Sequence, residues 1–354
     1  MFTAHRPHNS FDSFYPPTFV ASARPVNRNE WQGIPDAEEA YWKEWNNLEN
    51  KQVWKWDTLA EWDDVARHHR KQGTECHFGY LFGFMVLKGD EFDEHDPRRR
   101  YKYRIVFQGN QVKDQDWQVA LFQNMTCQPA TLDAARAAEA YGCFPGHTIE
   151  GRDVEQAYIS ATLRGPPTYV QLPKELWTPE MHKMKFPVVR LDKALYGHIN
   201  SGVYWNEHCD AMCKSKGFES VKHFGENWSS CYFNEETKMF LIVYVDDLLL
   251  AGPKEHMEKT WDWLTDMTGK NGLALAKPPE KDDDTHTFLG CTTRRYTKVI
   301  DGKTVQFTSS SVEPAMRKAL AKYEVSVYDC TGKYPRLYKV NTPGEEEELS
   351  LIHI

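Results

Sequence analysis

Two adjacent carboxylates, Asp246 and Asp247, stand between the apolar runs Leu241-Ile242-Val243-Tyr244-Val245 and Leu248-Leu249-Leu250-Ala251. Buried without partners, such a pair is costly. A hairpin tip open to water or a metal ion is the least costly arrangement, although acids are also ordinary turn residues. A metal site at that tip needs a third carboxylate. Asp153 offers one, at a strand end in Asp153-Val154-Glu155-Gln156-Ala157-Tyr158. Mg²⁺ takes one or two carboxylates and completes its shell with waters and substrate phosphates. Two such ions can align a 3′ hydroxyl with an α-phosphate and stabilise the departing pyrophosphate. A second constellation is basic. Arg98-Arg99-Arg100-Tyr101-Lys102-Tyr103-Arg104 holds five cations in seven residues. Lys102 and Arg104, two apart on a strand, share a face and can both pair with phosphate. The same pattern also suits a solvated edge strand that deters aggregation.

These side chains need rigid supports. Apolar runs of four or five residues rich in Leu, Ile and Val predict strands covered on both faces. Strands are expected at 79–88 and 101–108 around a polar turn at 93–97, at 147–153, 169–172 and 188–191, and at 231–234 and 239–245 leading into the acid pair. Asp301-Gly302 predicts a two-residue hairpin between 294–300 and 303–308. Helices are expected at 36–54, at 132–141 capped by Thr131 and ended by Gly142, at 202–216, at 255–267 and at 314–323. Residues 57–70 read as a short helix or an irregular segment, and Ala194-Leu195-Tyr196-Gly197 as a tight turn.

Composition bounds the reading. The 354 residues carry a formal net charge of −8, against the basic balance usual for nucleic-acid binding. The sum hides contrast, because Asp282-Asp283-Asp284 and Glu345-Glu346-Glu347-Glu348 supply much of the excess. No run approaches the roughly 20 apolar residues of a membrane span, and Met1 to Pro17 lacks a signal-peptide core. The eight cysteines are scattered, which suits free thiols in a reducing, intracellular compartment, cytoplasmic or nuclear. Neither Cys209 with Cys213 nor the loose group His68, His69, Cys76 and His77 has zinc-finger spacing.

Tyr244-Val245-Asp246-Asp247 between apolar strands resembles the catalytic hairpin of reverse transcriptases, and the wider chain resembles the reverse transcriptase domain of copia-type retrotransposon polyproteins. Further blocks follow in the family's order: Tyr101-Lys102-Tyr103-Arg104-Ile105-Val106-Phe107-Gln108-Gly109, the Asp153 to Tyr158 block, Tyr169-Val170-Gln171-Leu172-Pro173, Arg190-Leu191-Asp192-Lys193-Ala194-Leu195-Tyr196-Gly197, and Phe288-Leu289-Gly290. The resemblance implies an α+β polymerase of right-hand type, with a disordered segment at 1–35, fingers at 36–145, a palm at 146–275, a partial thumb at 276–326 and a mobile acidic tail at 327–354. It implies RNA-directed DNA synthesis from deoxynucleoside triphosphates with two Mg²⁺ or Mn²⁺ ions. Asp153, Asp246 and Asp247 match the catalytic and metal-binding residues. Lys102 and Arg104 match residues that hold the triphosphate, Tyr158 matches a gate against the ribose 2′-OH, and Gly197 falls with the substrate-binding residues. The implied partners are an RNA template, a DNA or RNA primer and the nucleotides, with no membrane. Ribonuclease H and integrase parts of such a polyprotein have no counterpart in this sequence. His198-Ile199-Asn200-Ser201-Gly202-Val203 departs from the family's Leu-Lys-Gln-Ala-Pro-Arg, and Gln108 stands where Lys is usual. These departures raise an alternative, a decayed or repurposed nucleic-acid-binding remnant.

Overall fold

The structure is a computed structural model and describes residues 23–90, 93, 95–120, 122, 129–225, 228–265, 272–276 and 285–335. Of the disordered segment expected at 1–35 and the mobile tail expected at 327–354, residues 1–22 and 336–354 fall outside those residues, as does the end of the 255–267 helix beyond 265, whereas Ala23–Val26, Arg28–Trp31 and the helix that ends at Thr331 are ordered elements. The chain forms two compact units, one spanning Ala23–Val312 and one that includes Glu313–Ile354.

The N-terminal part of the larger unit begins with β1 (Ala23–Val26), α1 (Arg28–Trp31) and α2 (Pro35–Asn50). Pro35 opens α2, where a missing N–H costs nothing. β2 (Trp54–Glu61) and α3 (Trp62–Gln72) follow, and α3 ends at Gly73 in the left-handed region, φ +63°. The segment read as a helix or irregular at 57–70 is therefore strand up to Glu61 and helix from Trp62 onward. Its pairing partner lies far along the chain, which local periodicity cannot reveal. β3 (His77–Lys88) and β4 (Arg100–Phe107) form the expected hairpin, and β5 (Lys113–Asp114) adds to β3.

The next stretch runs through α4 (Leu132–Gly142), β6 (His147–Asp153), α5 (Ala157–Ser160), β7 (Thr168–Gln171), β8 (Pro187–Leu191) and α6 (Ser201–Ser215). β7 and β8 do not join β6. They complete the first sheet, of order β1-β3-β7-β8-β2 with β4 and β5 on β3. The boundary expected at 146 thus does not separate the sheets, because residues 168–191 pair with strands from the N-terminal part.

The second sheet adds β9 (Glu219–Ser220), β10 (Cys231–Asn234), β11 (Met239–Tyr244) and β12 (Asp247–Pro253), in the antiparallel order β6-β12-β11-β10-β9. Alternate residues of its central strands point to opposite faces. Leu241, Val243, Leu248 and Leu250 pack with Trp205, Cys209 and Met212 of α6 and with Trp261 and Leu264 of α7 (Lys254–Leu264). Ile242, Leu249 and Ala251 pack on Ala134, Ala135 and Ala138 of α4. The sheet is covered on both faces, as its continuous apolar runs require.

A third sheet joins β13 (Thr285–Phe288), β14 (Cys291–Ile300) and β15 (Lys303–Ser311). Asp301 and Gly302 connect β14 to β15 at φ +48° and +75°, the two positive values that a tight hairpin turn demands. In the other unit, α8 (Glu313–Thr331) runs eight residues beyond the expected end at Tyr323. No helix among the described residues is long and apolar enough to cross a membrane.

Candidate active site

The antiparallel register brings two of the acids together. Asp247, the first residue of β12, lies directly opposite Asp153, the last residue of β6. Directly paired side chains project to the same face of a sheet. Both carboxylates line a cleft of about 720 Å³ with Tyr244, Ala130, Leu132, Thr287, Leu289 and Gly290. Burial pushes the Asp247 carboxyl up to about 6, helped by the charge of Asp246 and then by that of Asp153, whose side chain also hydrogen-bonds to it.

Asp246 occupies the turn between β11 and β12, where Tyr244 pairs with Asp247. The other turn residue, Val245, has φ +56°. That region is unfavourable for a β-branched side chain and costs about 1–3 kcal/mol. The turn is held by its surroundings. The indole Nε1 of Trp205 donates to the Val245 carbonyl at 2.8 Å. The Val154 N–H, just beyond Asp153, donates to the Asp246 carbonyl at 2.6 Å. All three acids are thereby tied into one backbone unit. Their side chains are not drawn together as a finished metal nest: among the described residues no three His, Cys, Asp or Glu side chains form a group that could hold an ion.

Lys102 and Arg104 lie on β4 opposite Val86 and Phe84, so they share a face as the sequence implies. Arg104 reaches Glu44 of α2 at 3.7 Å. Burial raises the Glu44 carboxyl, while Arg104 and then Lys102 counter it. Burial lowers the Lys102 ammonium to about 8, and the neighbouring cations Arg104, Lys88 and Arg100 add to the effect. A cation in that condition gains from a phosphate counter-charge. On the same face Phe82 and Phe84 are exposed, with ring centroids 6.0 Å apart.

Tyr158, on α5, packs its ring edge-on against Tyr196 at 4.6 Å. The Tyr196 phenol is raised to about 12, mainly by burial and then by Asp246, Tyr158 and Glu44, while Arg104 opposes them. Tyr196 therefore stands within electrostatic range of both the acid hairpin and the basic strand. Sequence reasoning placed it in a matching block but gave it no role. Its central position depends on pairing between distant segments. Trp205 and Glu44 were missed for the same reason.

Gly197, expected among the substrate-binding residues, packs closely against the end of β4. At φ +88°, a Cβ on it would lie 2.1 Å from the Phe107 carbonyl oxygen, and Phe107 N–H donates to the Tyr196 carbonyl at 2.7 Å. Gly197 lets the chain lie against the end of β4. The departures that follow it are mostly internal: His198, Asn200 and Ser201 are buried, and only Ile199 of these four is exposed. His198 packs among Phe107, Phe122 and Tyr204.

A mixed α+β fold with antiparallel sheets and paired acids at the tip of a central hairpin is the architecture of the right-hand polymerase class. The family model described as reverse transcriptase (RNA-dependent DNA polymerase) matches residues 87–315, and the chain belongs to that family. The similarity to the reverse transcriptase domain of copia-type elements read from the sequence therefore stands. The protein of Saccharomyces cerevisiae named for transposon Ty5-1 is 32% identical over 103 residues, covering 28% of this chain and 31% of that protein. The chain thus spans less than a third of that relative's length. A solved structure of telomerase from Candida albicans, in complex with a telomeric RNA fragment, aligns at a TM-score of 0.34 and 11% identity, over 70% of this chain and 47% of that one. That likeness is too distant to carry weight beside the sheets themselves.

Proposed function

We propose that this chain is the polymerase segment of a copia-type element and extends a primer on an RNA template from deoxynucleoside triphosphates. The observation that carries the proposal is the register that sets Asp153 against Asp247 beside Asp246, in a cleft open at one end of a fully packed sheet. Three acceptor-only oxygen pairs suit hard divalent ions. Asp247, held up near 6 by burial and two like charges, is a group whose ionised form a cation favours. Asp153, Asp246 and Asp247 would hold Mg²⁺ or Mn²⁺. Such ions, when bound, supply Lewis-acid stabilisation of the attacking and leaving oxygens.

The chain's own residues do the rest. The packed strands fix the backbone that carries the carboxylates, which limits the rearrangement that charge neutralisation requires. Lys102 and Arg104 bind the triphosphate, and Tyr158, backed by Tyr196, stands beside the sugar and disfavours a 2′-OH. In the reaction the primer 3′ oxygen bonds to the α-phosphorus and the α–β phosphoanhydride bond breaks. Pyrophosphate leaves, and the hydroxyl proton passes to solvent. In this reading the Ala23–Val312 unit carries fingers and palm functions, with the first sheet presenting β4 and the second presenting the acids.

The test is primer extension on poly(rA)–oligo(dT) with Mg²⁺ or Mn²⁺, wild type against Asp246→Ala. Extension by the wild type and its loss in the variant support the proposal. Duplex binding without extension leaves the nucleic-acid-binding remnant as the reading. Neither binding nor extension removes both.

A further inference from the structure

The helix α8 carries an apolar stripe that is left open. Its 19 residues rise about 28 Å. Met316, Leu320 and Tyr323 are 65%, 47% and 45% exposed, and Val327 is only partly buried. Cys330 is exposed. Among the described residues, no α8 side chain joins a buried cluster. Tyr328, on another side of the helix, has its own partner and stacks on Tyr334 with ring centroids 4.5 Å apart. Such a helix gains little from its own residues. Tyr323, Val325, Val327, Tyr328 and Thr331 are weak helix formers, and helices in proteins draw most of their stability from packing an apolar face.

The spacing shows what that face fits. Met316, Leu320, Tyr323, Val327 and Cys330 follow one another at intervals of four, three, four and three residues. That alternation is a coiled-coil seam, which a helix of the same period fills. The charges select the partner. Arg317 and Glu324 each stand one residue past a seam position, after Met316 and after Tyr323, and so share one flank. In an antiparallel pair of copies, Leu320 sits beside Tyr323 of the other copy and Met316 beside its Val327. Arg317 then falls next to Glu324 of the other copy, and the two-fold axis repeats the pair. Sliding the helices by one heptad sets Glu324 against Glu324. A parallel pair sets Glu324 beside Ala319, with no opposite charge. Of these three arrangements, the first alone fills the seam and pairs the charges. Arg317 also reaches Glu313 one turn back, but that pair is 77% and 63% exposed and holds the guanidinium weakly.

We infer that α8 is a homodimer contact: two copies of this chain associate through antiparallel α8 helices along the Met316, Leu320, Tyr323 and Val327 seam, and reciprocal Arg317–Glu324 pairs fix direction and register. The contact stands whether or not the chain extends a primer.

Sedimentation velocity of the full chain, from about 1 to 200 µM, reads the association. The wild type is expected to pass reversibly from monomer to dimer. Leu320→Glu puts a good helix former at an exposed seam position, so the urea midpoint should hold while the dissociation constant rises at least about tenfold. If that midpoint falls, the charge variants carry the test alone. Arg317→Glu and Glu324→Arg should each weaken self-association about tenfold, because each sets like charges together twice. An equimolar mixture of these two variants should recover affinity to within about threefold of wild type, since each copy then meets opposite charges on the other. Oxidation with copper phenanthroline should give no cross-link through Cys330, because antiparallel pairing holds the two thiols at opposite ends. A monomer at every concentration, a dimer indifferent to all three variants, or weak single variants that the mixture does not rescue would overturn the inference. So would a cross-linked dimer that is lost in Cys330→Ser, the mark of a parallel pair.

Discussion

Trp205→Phe tests how the strained hairpin is held. Trp205 is 2% exposed and packs between α6 and the acid-bearing sheet, while its Nε1–H reaches the Val245 carbonyl at 2.8 Å. Phenylalanine keeps most of the ring but removes the donor. A buried acceptor left unpaired costs about 1–3 kcal/mol, and the smaller ring leaves a small cavity costing about 1 kcal/mol more. The expected loss is about 2–4 kcal/mol, similar to or larger than the strain of about 1–3 kcal/mol stored at Val245. With its pin gone the turn relaxes and carries Asp246 with it. A displacement of about 1 Å costs on the order of a hundredfold in rate. Urea unfolding should show the stability loss, and single-nucleotide incorporation should show the fall in kcat. Adding Val245→Gly removes the conformational strain and should recover part of the rate and part of the stability. A variant that loses stability but keeps kcat within about twofold of wild type would refute the reasoning.

Other outcomes follow from the same geometry. Gly197→Ala should destabilise the chain and broaden its unfolding transition, because its Cβ would lie 2.1 Å from the Phe107 carbonyl oxygen and its φ of +88° suits only glycine; unchanged urea midpoints would count against the close approach. Lys102→Ala and Arg104→Ala should raise the KM for nucleotide, each removing about one charge-assisted phosphate contact, and Arg104→Ala should also lower stability by removing the ion-pair partner of the largely buried Glu44. His198, lowered by burial to about 4, stays neutral in the fold while it takes a proton near pH 6.5 when unfolded. Stability from this group is therefore full above pH 6.5 and falls as pH drops towards about 4, by at most about 3 kcal/mol; His198→Asn should flatten that slope in urea titrations across pH 4–7. Tyr158→Ala should increase ribonucleotide incorporation relative to deoxyribonucleotide, measured by competition on one template.

The elements that hold the candidate site were legible because their signals are local. Leu241 to Gly252 announces two covered strands around an acid turn, and the His147–Asp153 strand was read with its own bounds. Asp301-Gly302 fixed its hairpin by turn chemistry. The failures share a cause in long-range pairing. Trp54–Glu61 becomes a strand because Pro187–Leu191 lies beside it, with a bulge between Lys55 and Ala60 that blurs any alternation. The same pairing moves 168–191 into the first sheet. Glu44 carries no local signal, because Arg104 and the Ile105 backbone, which close over it, are distant in sequence. The 198–203 segment looked like an altered substrate pocket. In the fold, His198, Asn200 and Ser201 are buried. α8 outran its expected end because Val325 and Val327 lower helix propensity without breaking the helix.

The central claim is that Asp153, Asp246 and Asp247 act as one divalent-ion site. Anomalous diffraction from crystals grown with Mn²⁺, an RNA–DNA primer–template and a non-hydrolysable deoxynucleotide tests it most directly. The account predicts manganese peaks bounded by these three carboxylates and the triphosphate, lost in Asp246→Ala crystals. Manganese bound to the triphosphate alone, or at acids away from the β6–β12 pairing, would contradict it.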